Sequence, residues 1–260
     1  MAKPFVVSVS GKGGTGKTTV AALLLKAMVD SGVCGRKKVL MVDADPDTNL
    51  PDFLGVNVSR TVGSVANELK RRIEKGQIPA EVSKRDLLEA WVYSTLIEER
   101  DFDMLVMGRT EGEGCYCYVN SVLTGILDVI ASNYDIVVMD MEAGLEHISR
   151  RTDRDVDVML IVCDPSRASL MTAKRIRDVA GEVHVKIKEI YLVGNRIAGQ
   201  VRESFIRAAR DAGFKVIGVV PEDPNVYEYN IVGKSLLELP GDSPAVSAVR
   251  EIAERLGLLA

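Results

Sequence analysis

Short runs of apolar, β-branched residues recur along this chain, separated by helix-length segments whose apolar positions fall three and four apart. The runs predict strands at Phe5–Ser8, Val39–Val42, Met104–Met107, Ile136–Met139, Val158–Val162, Ile190–Val193 and Val216–Val219. Several show no alternation of polar and apolar residues, the pattern of a strand covered on both faces. Strands and helices alternate as they do when parallel strands are joined by crossover helices. The expected fold is α/β: a doubly wound, mostly parallel sheet of about seven or eight strands, helices on both faces, and a ligand site at the strands' carboxyl ends. No linker, repeat or low-complexity stretch interrupts the pattern, so residues 1–260 read as one domain.

Two segments need a separate reading. From Thr61 to Arg100 the pattern is mainly helical, with Leu69, Arg72 and Ile73 on one helix, Leu87, Leu88, Trp91 and Val92 on another, and Gly76 and Pro79 between them as breakers. Trp91 reads as core. From Ser243-Pro244 to Leu259 a capped helix carries Val246, Val249, Ile252, Ala253 and Leu256 on one face. Its charges, Arg250, Glu251, Glu254 and Arg255, mix in sign and lack the basic enrichment and aromatic anchors of a membrane-surface helix, so it is expected to pack on the core.

The first run leads into the stretch with the clearest chemistry: Gly11-Lys12-Gly13-Gly14-Thr15-Gly16-Lys17-Thr18-Thr19, followed by the apolar Val20–Leu25. This is G-x-x-x-x-G-K-[ST] in the strand, loop, helix context that the motif requires. The glycines let the backbone turn tightly and gather N–H groups toward one point, where the helix dipole also favours an anion. A polyphosphate fits that nest. Lys17 is placed to reach the β- and γ-phosphates, and the Thr18 hydroxyl to complete the shell of a Mg²⁺ ion. Ile136–Met139 ends in Asp140, an apolar strand terminating in a carboxylate, which is expected to hold Mg²⁺ through a water. Met141-Glu142-Ala143-Gly144 then reads as a γ-phosphate-sensing switch, with Glu146 and His147 just beyond.

Charge narrows the partners. Thirty-three Lys and Arg against 37 Asp and Glu give a formal net charge of −4, with no basic tail or stripe. Non-specific nucleic-acid binding is not expected. No apolar run approaches the ~20 residues of a membrane helix, and the first residues form a strand rather than a signal. The reading is a cytoplasmic protein without a membrane partner. Its four cysteines suit free thiols or metal ligands better than a disulfide scaffold.

Two of them, Cys115 and Cys117, stand in a glycine-flanked loop, Gly112-Glu113-Gly114-Cys115-Tyr116-Cys117. Both thiolates can reach one soft metal, yet two ligands leave a tetrahedral site half complete. A two-fold dimer would supply the other pair. Zinc, nickel, Cu(I) and iron–sulfur iron all accept thiolates, and spacing does not choose among them. Cys34 and Cys163 pair with neither.

Gly-Lys-Gly-Gly-Thr-Gly-Lys-Thr resembles the deviant P-loop of the MinD/ParA/nitrogenase iron protein group of ATPases. The resemblance implies an ATP-dependent homodimer in which Lys12 crosses to the partner subunit's ATP. It also implies that Asp45, in Asp43-Ala44-Asp45-Pro46-Asp47, positions or deprotonates the attacking water. Asp43 either orients this loop or belongs to the outer magnesium shell, and Asp47 completes an acidic turn. Asn195 is implied as the adenine reader, with Pro221 and Asp223 at the pocket's rim. Gly-x-Gly-Cys-Tyr-Cys, Val-Asn-Ser and the downstream Val-Met-Asp-Met-Glu-Ala-Gly-Leu-Glu-His resemble the CooC-type accessory ATPases that mature nickel carbon monoxide dehydrogenase. That resemblance spans nearly the whole chain. It implies a nickel chaperone with nickel, or competing zinc, at a dimeric Cys115/Cys117 site, and a client such as carbon monoxide dehydrogenase or acetyl-CoA synthase. The alternatives are a positioning ATPase acting at membrane or DNA, and an ATP-dependent iron–sulfur reductase.

Overall fold

The apolar runs all fall in the strands of one sheet. In the computed structural model, which describes residues 3–79, 81–109, 117–142, 156–182 and 186–260, these are β1 (Phe5–Gly11), β2 (Val39–Asp43), β3 (Ile97–Glu98), β4 (Asp103–Val106), β5 (Ile136–Asp140), β6 (Val156–Cys163), β7 (Ile187–Gly194) and β8 (Val216–Val219). They form an eight-stranded sheet in the order β3-β4-β2-β5-β1-β6-β7-β8. Every pairing is parallel except β3 with β4. The expected doubly wound architecture is therefore present.

Strand β1 runs three residues further than its apolar run suggests, because Val9, Ser10 and Gly11 pair with Leu160, Ile161 and Val162 of β6. Strand β3 has no counterpart among the sequence expectations. Two residues are too few to show a period, and it exists only because the chain folds back beside Asp103 and Met104.

The helices are α1 (Lys17–Asp30), α2 (Leu50–Leu54), α3 (Val62–Glu74), α4 (Lys84–Tyr93), α5 (Cys117–Ala131), α6 (Arg167–Glu182), α7 (Arg202–Asp211), α8 (Pro224–Val232) and α9 (Pro244–Arg255). One sheet face is covered by α1 and α9, which bury Leu23, Leu24, Val246, Val249 and Ile252 against Val7 and Val9. The other face takes α3 to α7, through residues such as Leu69, Leu88, Ile130, Ile176 and Phe205 against Leu40, Leu105 and Met159. Each fully buried leucine contributes about 2 kcal/mol by leaving water. Both faces are thus dry, which is why β5 and β6 read as unbroken apolar runs.

The 61–100 region gives the two helices its periodicity predicts. Thr61 and Ser64 form a reciprocal capping box that starts α3, and Ser83 caps α4. Trp91 is half-buried rather than fully enclosed, packed on the core with the Arg72 guanidinium 5.0 Å from its ring centre. Helix α9 packs on the core as expected. Among the described residues no helix is long and apolar enough to cross a membrane.

Candidate functional site

The strand order places β1 between β5 and β6, so the loop leaving its carboxyl end opens between neighbours on both sides. That loop is the glycine stretch. Gly11 has φ 152° and a β-carbon there would stand 2.4 Å from the Val162 carbonyl oxygen, so only glycine fits. Gly16 has φ 87° and immediately precedes α1. Between them the Lys12 carbonyl oxygen accepts from the Thr15 N–H at 3.2 Å and the Thr15 hydroxyl at 2.8 Å. The loop's shape is therefore held by its own backbone and by buried Thr15.

A cavity of about 490 Å³ opens above this loop. Its wall includes Gly13, Gly14, Gly16, Lys17, Thr18 and Thr19 of the loop and start of α1, and Pro221, Asp223, Val226, Tyr227 and Asn230 from the segment after β8. Asp45, Asn195 and Arg196 also line it. Lys17 is buried there, whereas Lys12 is exposed and is not part of the wall.

Asp43 and Asp140 end neighbouring strands in register, side by side and buried. They differ in what they touch. Asp43 accepts from the Asp45 N–H at 3.1 Å and the Leu50 N–H at 3.1 Å, closing both ends of the loop between β2 and α2. Burial first, then the charge of Asp140, pushes its carboxyl up to about 7. Neither Asp140 oxygen has a hydrogen-bond partner. Burial raises that carboxyl to about 6, against the opposing Thr18 hydroxyl and Lys17 ammonium. An orphaned carboxylate beside Thr18 and a phosphate-shaped loop is a donor set that fits a hard divalent cation. Asp45 is half-buried at the cavity, with Oδ1 accepting from the Asp47 N–H at 3.0 Å.

Asn195 immediately follows β7 and is buried. Its amide nitrogen donates to the Thr15 carbonyl at 2.8 Å, leaving the side-chain carbonyl as the group it can offer a ligand. Arg196, which the sequence did not single out, has a left-handed backbone, φ 55°, and its guanidinium donates to the Gly14 carbonyl. Nothing in its local spacing signals that role. Pro221 and Asp223 reach the cavity wall, but the Asp223 carboxylate is turned to helix capping. It accepts from the Asn225 N–H at 2.9 Å, the Ala245 N–H at 3.1 Å and the Ser243 hydroxyl at 2.5 Å, joining the starts of α8 and α9.

Burial pushes the Asp223 carboxyl upward, yet these donors outweigh it and hold it below its ordinary value. Asp223→Ala is expected to destabilise the protein by about 2–4 kcal/mol at pH 7 through the lost charged hydrogen bonds. With the folded value depressed, the contribution is present above the ordinary carboxylate range and is lost as pH falls through the folded value. The gap between the two proteins in urea unfolding should therefore narrow as pH falls below the ordinary carboxylate range; a gap that stays constant with pH contradicts this account.

Cys117 is the first residue of α5, and Cys115, with residues 110–116, lies outside the described residues. Gly144, Glu146 and His147 lie outside them too. Among the described residues no group of three or more His, Cys, Asp or Glu side chains could hold a metal. Cys34 and Cys163 are free, and burial above all raises each thiol to about 11. Neither is a thiolate at neutral pH.

Comparison with known proteins agrees with this geometry. The carbon monoxide dehydrogenase accessory protein CooC of Rhodospirillum rubrum is 31% identical over 252 residues, 92% of this chain and 90% of that protein. An uncharacterised ATP-binding protein of Methanocaldococcus jannaschii is 45% identical over 251 residues, covering 96% of this chain and 98% of that one. Among solved structures, the septum site-determining protein MinD of Pyrococcus horikoshii, complexed with Mg-ADP, superposes with a TM-score of 0.68 at 24% identity, over 100% of this chain and 99% of that one. That likeness shows the fold. The family described as the CobQ/CobB/MinD/ParA nucleotide binding domain matches residues 6–236, and the chain belongs to it.

Proposed function

We propose that this chain is an ATP-hydrolysing switch that works as a nucleotide-dependent homodimer and assists nickel insertion into a client enzyme such as carbon monoxide dehydrogenase or acetyl-CoA synthase. The observation that carries the reading is the likeness to CooC along nine-tenths of both chains, joined to the Cys115-Tyr116-Cys117 pair.

The cavity supports the nucleotide half of this reading. The backbone of Gly11–Gly16 and the buried Lys17 take the phosphates, the carbonyl of Asn195 suits the amino group of adenine, and Pro221 and Asp223 line the same cavity. Thr18 and Asp140 would hold Mg²⁺, which neutralises charge on the phosphates when bound. Water attacks the γ-phosphorus, the bond to the β-phosphate oxygen breaks, and ADP and phosphate leave. Asp45 orients that water through Oδ2, since Oδ1 is committed to Asp47. The exposed Lys12, outside its own cavity wall, is free to reach the nucleotide of a second copy. Closing two copies would bring two Cys115/Cys117 pairs to one four-thiolate site, with nickel as cargo and zinc as competitor.

Anaerobic titration with nickel and zinc, with and without Mg-ATP, tests the metal half. The Cys115→Ser/Cys117→Ser protein should lose metal affinity by about 100-fold or more while hydrolysing ATP. Unchanged nickel affinity would sink the assignment. A brown protein carrying iron and sulfide would point to the iron–sulfur alternative. Strong ATP-dependent binding to lipid vesicles or DNA would point to a positioning ATPase.

A further inference from the structure

The tip of the phosphate loop is a turn held from outside. Because the Thr15 N–H closes on the Lys12 carbonyl, Lys12-Gly13-Gly14-Thr15 is a four-residue turn with glycine at both central positions. Gly14 has φ 80°, as a type II turn requires at its third residue. Both glycines are exposed, and nothing lies within 4 Å of where their β-carbons would stand. Two unpacked glycines leave the backbone its widest freedom, so hydrogen bonds have to fix this turn.

Two of those bonds come from adjacent residues after β7. The Asn195 amide holds the Thr15 carbonyl, and the Arg196 guanidinium holds the Gly14 carbonyl. In a trans peptide the C=O and the following N–H point opposite ways, so these bonds also aim the N–H groups of Gly16 and Thr15. The segment that supplies them is itself pinned: the Asn195 N–H donates to the Cys163 carbonyl at 2.7 Å, and the Ile197 N–H to the Val220 carbonyl at 3.1 Å. Between those anchors Arg196 keeps its left-handed backbone, φ 55°, which glycine adopts freely and arginine only at a cost. A long side chain standing there against backbone preference points to a use for that side chain.

We propose that Arg196 is a positioning residue for phosphate: by gripping the Gly14 carbonyl it keeps the Gly13–Gly14 turn in its anion-receiving shape, and it serves the phosphates rather than the base. This rests on the reading of the cavity as a nucleotide site. Arg196 also lines the cavity, so direct contact with the base is the competing account. Its hydrogen bond to the loop favours the first. A ligand that has phosphates and no base separates the two.

Calorimetric titration of the full chain with Mg-pyrophosphate, Mg-ADP and Mg-GDP tests this. Arg196→Ala should weaken pyrophosphate and ADP by the same factor, about tenfold, and leave the preference for ADP over GDP unchanged within about twofold. Arg196→Lys, which keeps a donor, should recover part of the loss. Arg196→Gly separates this role from folding. Glycine relieves the left-handed backbone, so without ligand this variant should unfold at a temperature no lower than Arg196→Ala, yet lose as much pyrophosphate affinity. Pyrophosphate affinity that is unchanged in Arg196→Ala overturns the inference, whether or not ADP affinity falls. Losses that follow unfolding temperature across the three variants overturn it too. So does a wild type that binds ADP but not pyrophosphate, since the loop then has no grip of its own on phosphate. A wild type that binds neither overturns the nucleotide reading together with it.

Discussion

Asp140→Asn is expected to make the protein more stable and nearly inactive. In the absence of Mg²⁺ and nucleotide, at about pH 8, its urea midpoint should rise by the equivalent of about 1–3 kcal/mol, and ATP hydrolysis should fall by about 100-fold or more. The wild-type carboxylate is buried without a hydrogen-bond partner and its folded value is raised to about 6. The sign follows from linkage. Relative to the unfolded chain, the protonated group is tolerated below the ordinary carboxylate value, and the advantage is lost as pH rises through the folded value. At pH 8 the ionised form therefore weakens the fold, the more so because Asp43 lies beside it with its own carboxyl raised to about 7. Asparagine removes the charge but also the anionic ligand. Unfolding curves at about pH 8 and pH 4.5 check both halves, since the advantage of the variant should shrink to about a third at the lower pH. A variant that is less stable at both values refutes the electrostatic account.

Lys12→Ala should separate nucleotide binding from catalysis. The P-loop is shaped by the Lys12 carbonyl and Thr15, not by the Lys12 side chain, which is exposed. Affinity of the isolated subunit for ADP is thus expected to change by less than about threefold. Hydrolysis and ATP-dependent dimerisation should fall by about 100-fold or more, the loss typical of a cation supplied in trans to a transferring phosphoryl group. Lys17→Ala should do the reverse and lose binding itself by about 100-fold, because Lys17 is buried in the cavity wall. Nucleotide titration together with sedimentation velocity in a non-hydrolysable ATP analogue distinguishes the two. Equal loss of ADP affinity in both variants would end the in-trans assignment of Lys12.

The strands that carry the site were legible because burial on both faces leaves an unbroken apolar run, and Asp140 was legible because a carboxylate ending such a run has few structural uses. The phosphate loop was legible because its backbone forbids side chains at Gly11 and Gly16. What escaped are contacts that no local period encodes. The ion pair of Arg109 with Asp47 depends on β4 lying beside β2. Arg196 reaches Gly14 only because the turn after β7 lies against the P-loop. The capping role of Asp223 needs α9 to start beside α8, and its spacing from Ser243 and Ala245 says nothing of that. Burial is written residue by residue, whereas pairing is written only in the assembled sheet.

The sheet's two borders bear on how copies of this chain can meet. One is the two-residue antiparallel β3 and the other the four-residue β8. Neither offers a long row of free N–H and C=O groups, so another chain finds little template for adding a strand. For the homodimer proposed above, this leaves the rim of loops above the carboxyl ends as the meeting face, where a bound nucleotide would decide whether two copies hold together.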